Sequence, residues 1–152
     1  MISETEILVL GIGNLLLKDE GIGIHAVNYL KNKELPDFVT LLDGGTGGFH
    51  LLELFQKYKT IIIIDATLDN NSPGTVRVIQ PKYSTDYPKS LSAHDIGLKD
   101  LVESAILLGN SPKVYLIVIS VSDFQDLGIE ISHPLDQVFE EIYHKTIDLI
   151  NS

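Results

Sequence analysis

Four consecutive isoleucines, Ile61-Ile62-Ile63-Ile64, run straight into Asp65. A β-branched run of this kind has no polar face, so it reads as a strand covered on both sides. Other runs repeat the theme. Ile7-Leu8-Val9-Leu10, Phe38-Val39-Thr40-Leu41-Leu42 and Val114-Tyr115-Leu116-Ile117-Val118-Ile119 are separated by stretches with helical spacing of apolar residues. That alternation predicts an α/β fold, a three-layer sandwich in which helices flank a mixed, mostly parallel five-stranded sheet.

The connections refine the expectation. A helix is predicted from about Asp19 or Glu20, with Ile22, Ala26, Val27 and Leu30 on its core face and an acidic first turn suited to the helix dipole. A second is predicted over Phe49–Lys57, with Leu51, Leu52, Leu54 and Phe55 inward. The Ile61–Ile64 strand should stop at Asp65. Only a turn-rich segment, Asn70-Asn71-Ser72-Pro73-Gly74, separates it from Thr75–Ile79, too little for a crossover helix. The fourth strand is therefore expected to be antiparallel, and its alternation of polar and apolar residues suggests an exposed edge. A polar loop from Pro81 to Ala93 leads to a helix over about Asp95–Leu108, closed by Gly109-Asn110. A final helix is predicted over about Pro134–Ile150, with Pro134 at its first position and Leu135, Val138, Ile142 and Ile147 inward.

The 152 residues suit one domain spanning 1–152. An apolar share of 44% excludes a disordered chain. Eleven basic and 21 acidic residues leave a net charge of −10, which opposes binding to nucleic acid or to an anionic membrane. Cysteine is absent, which removes disulfides, thiolate metal sites and cysteine nucleophiles, and a cytoplasmic location is expected. Gly11-Ile12-Gly13 is a weak dinucleotide signal: position 16 is Leu16 rather than glycine, and Asp19 and Glu20 would meet the pyrophosphate.

Ligands of open α/β sheets bind beyond the carboxyl ends of the parallel strands. Glu20 follows the first strand and Asp65 ends the third. His94, reached through the returning Pro81–Ala93 loop, would come back to the same edge. Two carboxylates and one imidazole make a mixed oxygen and nitrogen donor set with open coordination positions, suited to zinc, nickel or cobalt rather than to magnesium or calcium. Each residue also has a plain structural role open to it: Asp65 as a loop cap, Glu20 with Asp19 as dipole partners, His94 as a surface histidine. His25, His50, His133 and His144 lie in or beside amphipathic helices and read as structural or solvated. Asp43-Gly44-Gly45-Thr46 reads as a tight turn or as a place for close backbone approach.

Four segments, taken in order, resemble one family. They are Gly11-Ile12-Gly13-Asn14 through Asp19-Glu20-Gly21-Ile22-Gly23, Leu42-Asp43-Gly44-Gly45-Thr46, Asp65-Ala66, and Ser92-Ala93-His94-Asp95-Ile96-Gly97-Leu98. The chain is similar to the maturation endopeptidases of nickel–iron hydrogenases. The resemblance implies an endopeptidase that removes a C-terminal extension from the hydrogenase large-subunit precursor after nickel insertion. It implies that Glu20, Asp65 and His94 bind the metal and serve catalysis, with nickel carried by the substrate and other divalent transition metals able to occupy the site. It places substrate recognition on Asp43, Gly44, Gly45 and Thr46. After the fifth strand, Ser120-Val121-Ser122-Asp123-Phe124 departs from the family pattern. The competing readings are a non-catalytic, metal-sensing escort of the precursor and a nucleotide-binding α/β domain.

Overall fold

A computed structural model describes residues 6–13, 21–45, 51–67, 71–81, 98–109, 112–121 and 137–152. Its strands are β1 (Ile7–Gly11), β2 (Val39–Asp43), β3 (Thr60–Thr67), β4 (Val76–Ile79) and β5 (Lys113–Ser120). The helices are α1 (Ile22–Leu30), α2 (Leu52–Lys57), α3 (Leu98–Leu107) and α4 (Phe139–Ile150). The strands form one sheet in the order β2-β1-β3-β5-β4, all parallel except β4, which runs antiparallel to β5. The mixed, mostly parallel five-stranded sheet and the antiparallel edge strand are as the sequence predicts.

Period-two alternation divides the apolar side chains between two layers. Ile7, Val9, Ile62, Ile64, Ala66, Tyr115, Ile117 and Ile119 face α1 and α4, where Ile22, Ala26, Val27, Leu30, Ile142 and Ile150 complete one core. Leu8, Leu10, Ile12, Ile61, Ile63, Val114, Leu116 and Val118 face Leu51 and Phe55 beside α2 and Ala105 of α3. The four isoleucines are completely buried, two on each side. Burying a side chain of this size stabilises by about 1.5–3 kcal/mol, so this strand anchors both layers.

The structure differs from expectation at several boundaries. β3 does not stop at Asp65 but continues to Thr67, because β5 runs beside it and pairs Asp65 with Val118, Ala66 with Ile119 and Thr67 with Ser120. α1 begins at Ile22, after both predicted carboxylates, so its first turn contains no acidic residue. α2 starts at Leu52 and α4 at Phe139; α3 is described from Leu98, and the predicted start at Asp95 lies outside the described residues. Val138, not Pro134, precedes α4, and Pro134 and Leu135 lie outside the described residues. Ile147 is half-buried, while Thr146 is fully buried and donates its hydroxyl to the Ile142 carbonyl at 2.8 Å. Gly109, at φ +90°, closes α3 as its composition suggests.

Candidate functional site

The chain leaves β1 in one direction for β2 and crosses to β3 on the other side, so the sheet has its switch point between β1 and β3. A crevice opens at the carboxyl ends of such a pair. Here β1 separates from β3 just past the Gly11–Ile64 pairing, and the Ile12 N–H makes a last hydrogen bond of 2.9 Å to the Ile64 carbonyl. Asp65 is the first residue of β3 beyond that point.

Close backbone packing holds this corner. A β-carbon on Gly23 would fall 2.2 Å from the Ile64 carbonyl oxygen and 2.3 Å from that of Ile12. One on Gly11 would fall 2.3 Å from the Gly23 carbonyl oxygen. Glycine at both positions lets the start of α1 lie directly against the ends of β1 and β3. The helix entrance is thereby fixed beside the residue that precedes Asp65.

Asp65 itself is only 2% exposed. Its Oδ1 accepts the Ala66 N–H at 2.8 Å. Alternation along β3 puts it on the face of Ile61 and Ile63, toward α2 and α3. A buried carboxylate is costly unless it is hydrogen-bonded or neutralised. Thr67 and Ser120, both completely buried, stand opposite each other in register on that same face. Sequence reasoning singles out neither of them. The available signal is a hydroxyl at the end of an apolar strand, on the parity of Asp65. Arg77 of β4 pairs with Val118, the register partner of Asp65, so a single strand separates this cation's position from the acid's.

The second predicted region lies two strands away. Asp43 is exposed at the end of β2, and its Oδ1 accepts the Gly45 N–H at 2.8 Å. Gly44 N–H reaches the Gly11 carbonyl and Gly13 N–H the Gly45 carbonyl, both at 2.8 Å. Gly45 has φ +61°, and a β-carbon added to it would meet nothing within 4 Å. The turn is thus tied to the end of β1 while its tip stays open. Glu20, His94 and Thr46 lie outside the described residues. Among the described residues no group of three metal-ligating side chains occurs. His25 is half-buried on α1 and His144 exposed on α4, while His50 and His133 lie outside the described residues.

The mostly parallel sheet, covered by helices on both faces and with a glycine-packed switch point beside a buried acid, defines a three-layer α/β protein. Comparisons make the class specific. The family model for hydrogenase maturation proteases matches residues 24–149. The hydrogenase expression/formation protein HupD of Rhizobium leguminosarum bv. viciae is 34% identical over 152 residues, covering 96% of this chain and 74% of that protein. The hydrogenase 2 maturation protease of Escherichia coli K12 is 38% identical over 115 residues, covering 74% and 70%. The solved structure of the hydrogenase maturating endopeptidase HybD from E. coli superposes with a TM-score of 0.85 at 31% identity, covering 96% of this chain and 92% of that one. This chain belongs to the hydrogenase maturation protease family and is a peptidase.

Proposed function

We propose that this peptidase removes the C-terminal extension of a nickel–iron hydrogenase large-subunit precursor after nickel has been inserted. The observation that carries the reading is Asp65, a carboxylate buried at the switch point of a chain in this family. In the proposed site, Glu20, Asp65 and His94 grip the nickel that the substrate presents, and the Asp43–Thr46 turn steers the extension. Chain geometry supports the first pairing. Glu20 stands three residues before Gly23, which packs against the Ile64 carbonyl. Three residues span at most roughly 10 Å, a reach compatible with the proposed pairing of Glu20 and Asp65. His94 stands four residues before α3, whose far end leads within a few residues to Lys113 at the amino edge of the sheet. The beginning of α3 therefore points to the carboxyl edge, where Asp65 lies.

The donor set suits nickel: two carboxylates offset the charge, imidazole favours it over magnesium or calcium, and three protein ligands leave room for the substrate's own. With the tail aligned, a water attacks the scissile carbonyl. A site carboxylate takes the water proton, the new C–O bond forms, the C–N bond breaks, and the proton passes to the leaving amine. No helix among the described residues is long and apolar enough to cross a membrane, and the proposal places the reaction in the cytoplasm.

Incubation with nickel-loaded precursor tests the reading. A shortened large subunit supports it. A stable complex with an intact tail would make the protein an escort instead.

A further inference from the structure

β2 forms one end of the sheet. Its hydrogen bonds to β1 include the Phe38 carbonyl accepting Ile7 N–H and the Gly44 N–H donating to the Gly11 carbonyl. Peptide groups alternate sides along a strand, so residues 38, 40, 42 and 44 address β1 and residues 39, 41 and 43 face outward. Val39 N–H is already bonded to the Pro36 carbonyl at 3.0 Å. The N–H and C=O groups of Leu41 and Asp43 thus form an outward ladder, and no strand among the described residues pairs with it.

Edge strands are ordinarily guarded by charged side chains, lysine above all, by proline, bulges or shortness, or by a covering helix or loop. Val39-Thr40-Leu41-Leu42-Asp43 contains no lysine and no proline, and its one charge is the terminal Asp43. The opposite edge, β4, is only four residues long and carries Arg77. This edge leads directly into the Asp43–Gly45 turn, whose tip is open. Evenly spaced main-chain donors and acceptors are complementary to one kind of ligand, an extended polypeptide. A polypeptide is also what a peptidase acts on.

We propose that the precursor's C-terminal extension adds to β2 as a further, antiparallel strand, pairing with Leu41 and Asp43, and crosses the Gly44-Gly45 corner to present the scissile bond at Asp65. The inference rests on the proposed function and adds how the tail is held. The orientation follows from it: with the precursor body docked at the metal-binding residues, the extension leaves the site, passes the corner and descends along β2. Strands lie about 4.8 Å apart, so the added strand is roughly 14 Å from β3. At about 3.4 Å per residue, pairing begins four to five positions after the cleaved bond. Main-chain pairing supplies affinity with modest demands on the tail's side chains.

The test uses the full chain, nickel-loaded precursor and synthetic peptides of the extension. N-methylation scanned along the peptide should weaken binding roughly three- to tenfold at alternate positions and leave the interleaved ones unaffected. Leu41→Pro removes an outward N–H, and it should raise KM about tenfold with kcat near wild type. Equal tolerance of N-methylation at every position would overturn the proposal. So would an unchanged KM in a folded Leu41→Pro protein, including a case where the substitution only dissolves a dimer. Should Leu41→Pro fail to fold, the peptide scan decides alone, because it leaves the protein untouched. If the wild type does not shorten the precursor, the proposed function fails, and the scan still reports whether the edge binds an extended chain.

Discussion

The two ends of α1 meet acidic residues in opposite ways. At its start, Gly23 touches the Ile64 carbonyl with no side chain between, beside the buried Asp65. Near its end, Tyr29 donates to Oε1 of Glu140 on α4, and the Lys33 ammonium donates to the same oxygen at 2.7 Å. His144 Nε2 lies 3.7 Å from the other oxygen, Lys33 sits 5.0 Å from the Tyr29 ring centre, and Tyr29 stacks on Phe139. Glu140 meets Tyr29, Lys33 and His144, yet it is exposed, and exposed pairs are screened by water and salt. Asp65 is placed by strand register and glycine packing. The Glu140 cluster is thus an exposed support of the α1–α4 seam, whereas Asp65 is an acid held inside the sheet at its switch point.

The sharpest way to break that contrast is Asp65→Asn. The shape is preserved and the carboxylate removed, so precursor processing should fall by about a thousandfold or more, with Tm shifted by no more than a few degrees. Glu20→Gln and His94→Ala should behave alike if they share the site. Wild-type processing by any of the three, measured by the large-subunit mobility shift, removes that residue from it.

Gly23→Ala probes the packing rather than the acid. The new methyl has backbone oxygens on both sides at under 2.5 Å and no flexible side chain to push away. A destabilisation of about 3 kcal/mol or more is expected in denaturant unfolding, at the upper end of overpacking costs. Gly45→Ala enters open space and meets only the left-handed backbone cost, about 1–2 kcal/mol. Equal losses at the two positions would mean that the helix entrance is not held by close packing.

Much of this is legible in the sequence because burial pattern and connection length are local quantities. Ile61–Ile64 reads as a doubly covered strand, and the short Asn70–Gly74 connection predicts the antiparallel β4. The end of β3 is not legible, because an acid after four isoleucines resembles a terminus, while the pairing of Asp65 with Val118 depends on a strand some fifty residues later. The start of α1 is hidden for a related reason. Two carboxylates look like a favourable first turn, but the contact of Gly23 with β1 and β3 sets where the helix lies, and only the folded chain contains it. Of the candidate site, Asp65 and the Asp43–Gly45 turn stand out by motif position; burial of Thr67 and Ser120 follows from register, which a single strand's sequence does not reveal.

Glu140→Gln should give the smallest effect and sharpens the other side of the comparison. Hydrogen bonds from Lys33 first, and from Tyr29 next, hold the Glu140 carboxyl below its ordinary value of 4.5. A lowered pKa in the folded state means that the carboxylate's contribution is complete above about 4.5 and is lost as the pH falls through the lower, folded value. The same hydrogen bonds raise Tyr29 above 10.0 and Lys33 above 10.5, so their share persists below those values and disappears as the pH rises past them. Wild type should exceed Glu140→Gln slightly in Tm at neutral pH. The difference should shrink with added salt and vanish in acid, with processing unaffected throughout. A gap that survives acid and high salt would show that the amide disturbs packing at the α1–α4 seam, and that the exposed network is as much a part of the fold's support as the glycine contacts at the other end of the helix.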